Sequence, residues 1–288
     1  MSGDYQLVQL ASGAQTLFSA SYGEKMHPGL GPLAEADLLY VRQLRLAERM
    51  QKGAGEFVIW DIGLGGAANA IAALRATREI SGSLRLVSFD NTAEPLAFAL
   101  KNVAALHYPA GYENAIAQLL SEKQVVFQND HCAVKWEFHL GDFPGWIANL
   151  ILQTQDSKPP TPHAIFYDAF SPAKNPAMWT LPVFENLFHA LDSARPCALT
   201  TYSRSTLLRT TLLLAGFFVG VGHATGMKEE TTIAANTLEL ITEPLGQRWL
   251  ERAFRSDSAE PLHEAIYVRQ PLSPSTQEKL RAQPQFAR

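Results

Sequence analysis

The segment Phe57-Val58-Ile59-Trp60-Asp61-Ile62-Gly63-Leu64-Gly65-Gly66-Ala67-Ala68-Asn69 constrains this chain more than any other. A near-continuous apolar run of this kind fits a strand buried on both faces, as in a parallel sheet. It ends on an acid and a glycine-rich turn, and an alanine-rich stretch of helical character follows. Small residues in the turn let the backbone approach a ligand, and the first helical turn offers free N–H groups. A second acid, Asp90, ends the next strand. Together they form a framework able to hold a ribose and an adenine at the strand ends.

The rest of the chain repeats the strand-then-helix pattern. Residues 5–10 and 15–21 read as a hairpin around Ser12-Gly13. A glycine-containing loop follows, and Pro32 suits the first position of a helix running to Lys52. Strands are expected at 56–61, 84–90, 134–140, 163–167 and 197–202. An antiparallel pair at 217–223 and 231–238 closes the series. Helices are expected near 67–80, 94–106, 112–122, 144–153, 176–192 and 205–215, with a polar linker over 155–162. From Gln247 onward the pattern gives a short helix and a polar tail. The expected organisation is an N-terminal hairpin and helix over 1–53, a catalytic domain over 54–245, and a C-terminal helix and tail over 246–288.

Composition narrows the classes. The two cysteines, Cys132 and Cys197, form no Cys-x-x-Cys pair and no His/Cys cluster, so no metal site or disulfide framework is expected. His131 beside Cys132 reads as a loop pair. The N-terminus lacks the basic-then-apolar order of a secretory signal, and no apolar run is long enough to span a bilayer. A cytoplasmic location is the expectation. The net charge of −4 gives no global basic field, so contact with nucleic acid would need a local patch. Arg42, Arg45, Arg49 and Lys52 recur at helical spacing. They read as a solvated face or, alternatively, as such a patch.

Alternating strands and helices closed by an antiparallel pair give an α/β fold with a mostly parallel sheet. This is the Rossmann-like architecture of class I S-adenosylmethionine-dependent methyltransferases, with seven strands. A nicotinamide-binding domain would fit the first half as well. The third acid, Asp142, favours the methyltransferase. It ends a strand in Leu140-Gly141-Asp142-Phe143 and can accept from an adenine amino group, whereas a dehydrogenase has no standard need for it.

The second anchor is Asp168-Ala169-Phe170-Ser171-Pro172-Ala173-Lys174-Asn175-Pro176-Ala177-Met178-Trp179. It resembles the Asp-Gly-Phe-Ala-Pro-Ala-Lys-Asn-Pro-x-Met-Trp motif of the MnmC family. That motif lies in the methyltransferase half of the bifunctional tRNA 5-methylaminomethyl-2-thiouridine biosynthesis protein. The loop Gly23-Glu24-Lys25-Met26-His27-Pro28-Gly29-Leu30-Gly31-Pro32, with Glu35 and Tyr40, resembles the same family. So do the glycine turn, Thr200-Thr201-Tyr202-Ser203 and Gly226-Met227-Lys228. The resemblance covers residues 12–240. Two positions depart from the family: Ala67 replaces a glycine of the turn, and Asp90 replaces a glutamate. The resemblance does not extend to the flavin oxidase half, so flavin chemistry is not implied.

The resemblance implies an N-methyltransferase acting on an aminomethyl group of a modified wobble uridine of tRNA, with S-adenosyl-L-methionine as cofactor. It implies Asp168 as the catalytic residue. Asp61, Gly63, Gly65, Asn69, Asp90, Asp142 and Asp168 are the cofactor-binding candidates. Tyr22, Glu24, Lys25, His27, Phe170, Lys174 and Lys228 are the substrate-binding candidates, and no metal is implied. Other readings stand beside these. Asp142 and Asp168 would each serve as a helix N-cap. Trp179 and Met178 suit helix packing as well as a pocket wall. The acceptor would be a small molecule or protein in a more distant methyltransferase, and a catalytically silent relative would only bind the cofactor.

Overall fold

The computed structural model describes residues 3–150, 158–226 and 229–287. Its centre is an eight-stranded sheet in the order β10-β11-β9-β8-β4-β5-β7-β6. These strands are β4 (Glu56–Ile62), β5 (Gly82–Asp90), β6 (Gln124–Asn129), β7 (Cys132–Leu140), β8 (Ala164–Tyr167), β9 (Ala198–Thr201), β10 (Phe218–Gly222) and β11 (Thr231–Ala235). β4 pairs in parallel with β5 on one side and β8 on the other. The chain therefore reverses its direction of winding at β4. In open α/β sheets the crevice outside such a reversal is where ligands bind. β11 runs antiparallel between β9 and β10, as the closing pair requires.

The sheet has one strand more than the seven expected. β6 pairs antiparallel with β7 at the outer edge, with Val125 opposite Trp136. Its sequence, Gln124-Val125-Val126-Phe127-Gln128-Asn129, lacks clean alternation because Val126 faces solvent at 72% exposure. That exposed valine hid the strand.

A separate antiparallel sheet precedes the core: β1 (Tyr5–Gln9), β2 (Gln15–Ser19) and the two-residue β3 (Glu24–Lys25). Tyr5 and Leu17 bury their side chains in the main core. The single long helix expected over 32–52 is broken. It comprises α1 (Pro32–Ala36), a π-helical turn over Asp37–Arg42, and α2 (Leu46–Lys52), with Arg45 left-handed at φ 50°. The buried Gln43 side chain at this break accepts from the His223 N–H at 2.7 Å, fixing the segment to the end of β10. A π-turn has no composition signal, and such turns often serve function.

Two apolar cores flank the sheet. α3 (Ala68–Thr77), α4 (Glu94–Lys101), α5 (Val103–Leu106) and α6 (Glu113–Glu122) lie on the side of α1 and α2. α7 (Phe143–Leu150), α8 (Leu181–His189) and α9 (Thr206–Leu214) cover the other. That second core also takes in α10 (Gln247–Phe254) and α11 (Pro274–Arg281). The C-terminal segment is therefore not a simple polar tail. Leu280 and Phe286 are buried, and the Gln285 amide donates to Val219 O at 2.7 Å and accepts from Val219 N at 2.7 Å. One side chain thus imitates a strand partner on the β10 edge. No helix among the described residues is long and apolar enough to cross a membrane.

Arg42, Arg45 and Lys52 of the basic stripe stay exposed, and only Arg49 leaves the solvated face. Arg49 turns inward and donates to His163 O at 2.7 Å and Pro196 O at 3.1 Å. Arg42 pairs with Asp37 at 2.6 Å, and Lys52 pairs with Glu48 at 2.7 Å. Helical spacing revealed the stripe but not the carbonyls and carboxylates that fold onto it.

Candidate active site

The site is built from the carboxyl ends of β4, β5 and β8. After β4, the N–H groups of Gly63 and Leu64 both donate to Phe89 O, at 2.9 and 3.1 Å, so the turn is fixed to the end of β5. Gly63 has φ +94°, and a Cβ there would lie 2.8 Å from the Asp168 carbonyl oxygen. Only glycine permits β4 and the end of β8 to come this close. Gly65 has φ +51°, and its N–H donates to Asp90 Oδ2 at 2.8 Å. Ala67 also adopts a left-handed conformation, at φ 66°, directly before α3. The substitution of glycine by alanine here is thus not an ordinary helix start, because a Cβ opposes this backbone angle.

These ends enclose a cavity of about 610 Å³, well within the range of small-molecule sites. Gly63, Gly65, Asp90, Asp142 and Asp168 all line it. Asp90 is half-buried at the cavity wall, and the loss of hydration there pushes its carboxyl up. The N–H groups of Gly65, Thr92 and Asn91 oppose that shift. Asp142 lines the cavity while its Oδ2 accepts from Gly145 N at 2.8 Å, so it also caps α7. Asp168 does not cap a helix. Its Oδ2 accepts from Asn69 Nδ2 at 2.7 Å, and His27 Nε2 stands 3.8 Å from the same oxygen.

Two of the residues marked from sequence as cofactor ligands lie outside the lining. Asp61 is fully buried below the turn, where Ser88 Oγ donates to its Oδ2 at 2.9 Å. Burial, with the Asp168 and Asp90 charges, raises its carboxyl to about 7 against the Ser88 hydrogen bond. Asn69, at 2% exposure, directs its amide at Asp168 rather than into the cavity.

Around the mouth, Tyr22 and Phe170 stack with ring centroids 4.1 Å apart at 16°. Lys25 and His27 line the cavity, from β3 and the loop after it. Glu24 lines it too, but its carboxylate accepts from the Ser171 hydroxyl and from Ser171 N at 3.2 Å. That bond ties the N-terminal sheet to the loop after β8. Lys174 lies outside the lining, with Nζ 3.8 Å from where a Gly23 Cβ would stand. Lys228 falls outside the described residues. Trp179 is buried with Nε1 donating to Phe170 O at 2.8 Å, so it supports the wall from behind.

Sequence reasoning missed Tyr5 and gave Tyr202 no role. Tyr5 reaches the cavity from β1, and burial followed by the Asp90 charge pushes its phenol up. The Tyr202 hydroxyl donates to Ala169 O at 2.9 Å, which braces the segment after Asp168. No motif links these residues to the strand ends, because the contacts arise only when distant segments close over the site. Among the described residues, no group of three or more acids, histidines or cysteines is placed to hold a metal ion.

With this geometry in place, comparison with known proteins defines the class. Residues 110–237 match a family of S-adenosyl-L-methionine-dependent methyltransferases. A crystal structure of MnmC2 from Aquifex aeolicus superposes with a TM-score of 0.69 at 25% identity, covering 98% of this chain and 85% of that one. A spermidine synthase shares the fold at a TM-score of 0.50 and 9% identity, covering 96% of this chain and 83% of that one. The chain is a class I S-adenosylmethionine-dependent methyltransferase.

Within that class it is MnmC-like. The bifunctional tRNA 5-methylaminomethyl-2-thiouridine biosynthesis protein MnmC of Burkholderia vietnamiensis is 28% identical over 267 residues, which is 88% of this chain and 37% of the relative. The protein of the same name from Ralstonia nicotianae is 30% identical over 229 residues, or 76% of this chain and 33% of the relative. The chain thus spans about a third of the length of these bifunctional relatives.

Proposed function

We propose that this methyltransferase acts on the nitrogen of an aminomethyl group carried by a modified wobble uridine of tRNA, and that Asp168 orients and deprotonates that nitrogen. One observation carries the reading. The Asp168 carboxylate lines the same cavity as the glycine turn, and its backbone lies in contact with Gly63. A group at this place meets both the cofactor cradle and an incoming acceptor.

The residues fit S-adenosylmethionine. Gly63 and Gly65 present left-handed backbone to the cavity, a conformation a side chain would strain, and Asp90 lines the cavity beside them with Oδ2 on the Gly65 N–H. Gly63 and Gly65 would hold the methionine portion, Asp90 the ribose hydroxyls, and Asp142 the adenine side. When bound, the cofactor would supply a sulfonium methyl group for in-line transfer to a neutral amine, with the thioether S-adenosylhomocysteine as the leaving group. The chain's own task is to position that amine. Asp168 accepts its N–H, aims its lone pair and takes the proton released as the N–CH₃ bond forms. Tyr22 and Phe170 wall the mouth and exclude water. Lys25 and Lys174, exposed on the rim, supply charge for tRNA phosphates.

The test pairs Asp168→Asn with the wild type, using tRNA that carries an unmethylated 5-aminomethyl-2-thiouridine. Single-turnover methyl transfer should fall by about 10²–10⁴, the worth of a positioned general base. Affinity for S-adenosylhomocysteine, read by calorimetry, should stay near wild type. A fully active Asp168→Asn variant would remove the residue from the chemistry. Transfer to the free nucleoside as efficient as to the tRNA would instead make the acceptor a small molecule.

A further inference from the structure

The sequence marked Asn69 as a cofactor ligand, and the structure gives it a different neighbour. It is the second residue of α3, at 2% exposure and outside the cavity lining. Its Nδ2 donates to Asp168 Oδ2 at 2.7 Å. Its Oδ1 is buried without a hydrogen-bond partner. The amide orientation follows from chemistry, since the reverse assignment would set a carbonyl against a carboxylate oxygen. An unpaired buried carbonyl disfavours the folded state. Alanine at this helical position would remove that cost and has the higher helix propensity, but would also remove the bond to the Asp168 carboxylate. Among the described residues, that bond is the one contact in which the polarity of the Asn69 side chain is used.

Resting on the reading of Asp168 as the group that meets the acceptor, we infer that Asn69 is a positioning residue for Asp168. It holds Oδ2, fixes the plane of the carboxylate and leaves Oδ1 to accept the N–H of the acceptor. His27, 3.8 Å from Oδ2, flanks the same oxygen from the N-terminal loop. Asp168 therefore sits between one element of the core and one of the N-terminal extension. Near-attack geometry is sensitive to displacements of about 1 Å, which cost up to about 100-fold in rate. A carboxylate free to rotate would lose its aim by about that much.

The experiment uses Asn69→Ala, Asp168→Asn and the double variant. A crystal structure of the wild type with S-adenosylhomocysteine should keep Asn69 Nδ2 on Asp168. An Asn69 amide bonded to the ligand instead would overturn the inference whatever the acceptor proves to be. In kinetics, Asn69→Ala should lower kcat about 10- to 100-fold. Affinity for S-adenosylhomocysteine should stay within about twofold, and the melting temperature should stay close to that of the wild type, since the lost bond and the removed unpaired carbonyl offset each other. In the Asp168→Asn background the same substitution should have little further effect, because the group it acts through has gone. A loss of equal size in both backgrounds, a weakened ligand affinity, or a fall in melting temperature that accounts for the lost activity would each overturn it. An Asp168→Asn variant at full turnover would defeat the parent reading and this inference together. A slow Asp168→Asn beside an unaffected Asn69→Ala would defeat the inference alone.

Discussion

Asp61 offers a stability measurement that reads the interior of the site without any substrate. The residue is fully buried on β4, opposite Ser88 of β5 in the parallel ladder. Trp136 Nε1 donates to Ser88 Oγ at 2.9 Å, so the Ser88 hydroxyl proton is free to donate onward to Asp61 Oδ2, also at 2.9 Å. Oδ1 is buried with no partner. Burial, then the Asp168 and Asp90 charges, raise the carboxyl from 3.8 to about 7, with Ser88 opposing. A carboxyl raised on folding stabilises the native state below its unfolded value, and the benefit disappears as pH rises through the folded value. Asp61 therefore weighs against folding at neutral pH by up to about 4 kcal/mol. Asp61→Asn cannot ionise. Its new NH₂ group meets the place where Oδ1 has no partner, a constant offset of about 1–3 kcal/mol. The pH slope is free of that offset. Urea unfolding at pH 5, 6, 7 and 8 should show the difference between variant and wild type moving in favour of asparagine by about 2–3 kcal/mol. A difference that stays flat across that range would show that Asp61 is not held neutral by burial.

Asp90→Ala should weaken S-adenosylhomocysteine binding by about 1.5–3 kcal/mol, the scale for hydrogen bonds to a charged group. Calorimetry decides this, and an unchanged affinity would exclude Asp90 as a ribose ligand. Phe286→Ala should cost about 3–5 kcal/mol of unfolding free energy. Phe286 is buried and lies parallel to Trp249 at 6.3 Å between centroids. A loss below about 1 kcal/mol in chemical denaturation would mean that the C-terminal segment is not integral to the second core.

The strand ends were legible because a strand entering a turn leaves local marks. Gly63, Gly65, Asp90, Asp142 and Asp168 each follow a strand with a clear apolar pattern, and each lines the cavity. Asp61 and Asn69 belong to the same stretch of sequence but not to the lining. A strand position gives alternation, yet in a sheet buried on both faces it does not tell which side chain reaches the crevice. The broken helix at Asp37–Arg42 was hidden for another reason. It contains no glycine or proline, and its distortion is tied to a tertiary contact, Gln43 with the end of β10. The basic stripe was legible as a pattern and three of its residues are exposed, but Arg49 departs because it donates to carbonyls more than a hundred residues away.

The sequence by itself determined the class of fold, the glycine turn and the three acids at strand ends, because these depend on local chain chemistry: apolar runs, backbone freedom and the residue that closes each strand. It also carried the long motif after Asp168 that joins the chain to its relatives. Tertiary structure alone decided what each polar group faces. It put Tyr5 beside Asp90, Glu24 on Ser171, and Asn69 on Asp168. Those pairings join residues 85, 147 and 99 positions apart. Such contacts form only when the sheet, its helices and the N-terminal extension close on one another, and burial then fixes which hydrogen-bond partners remain within reach.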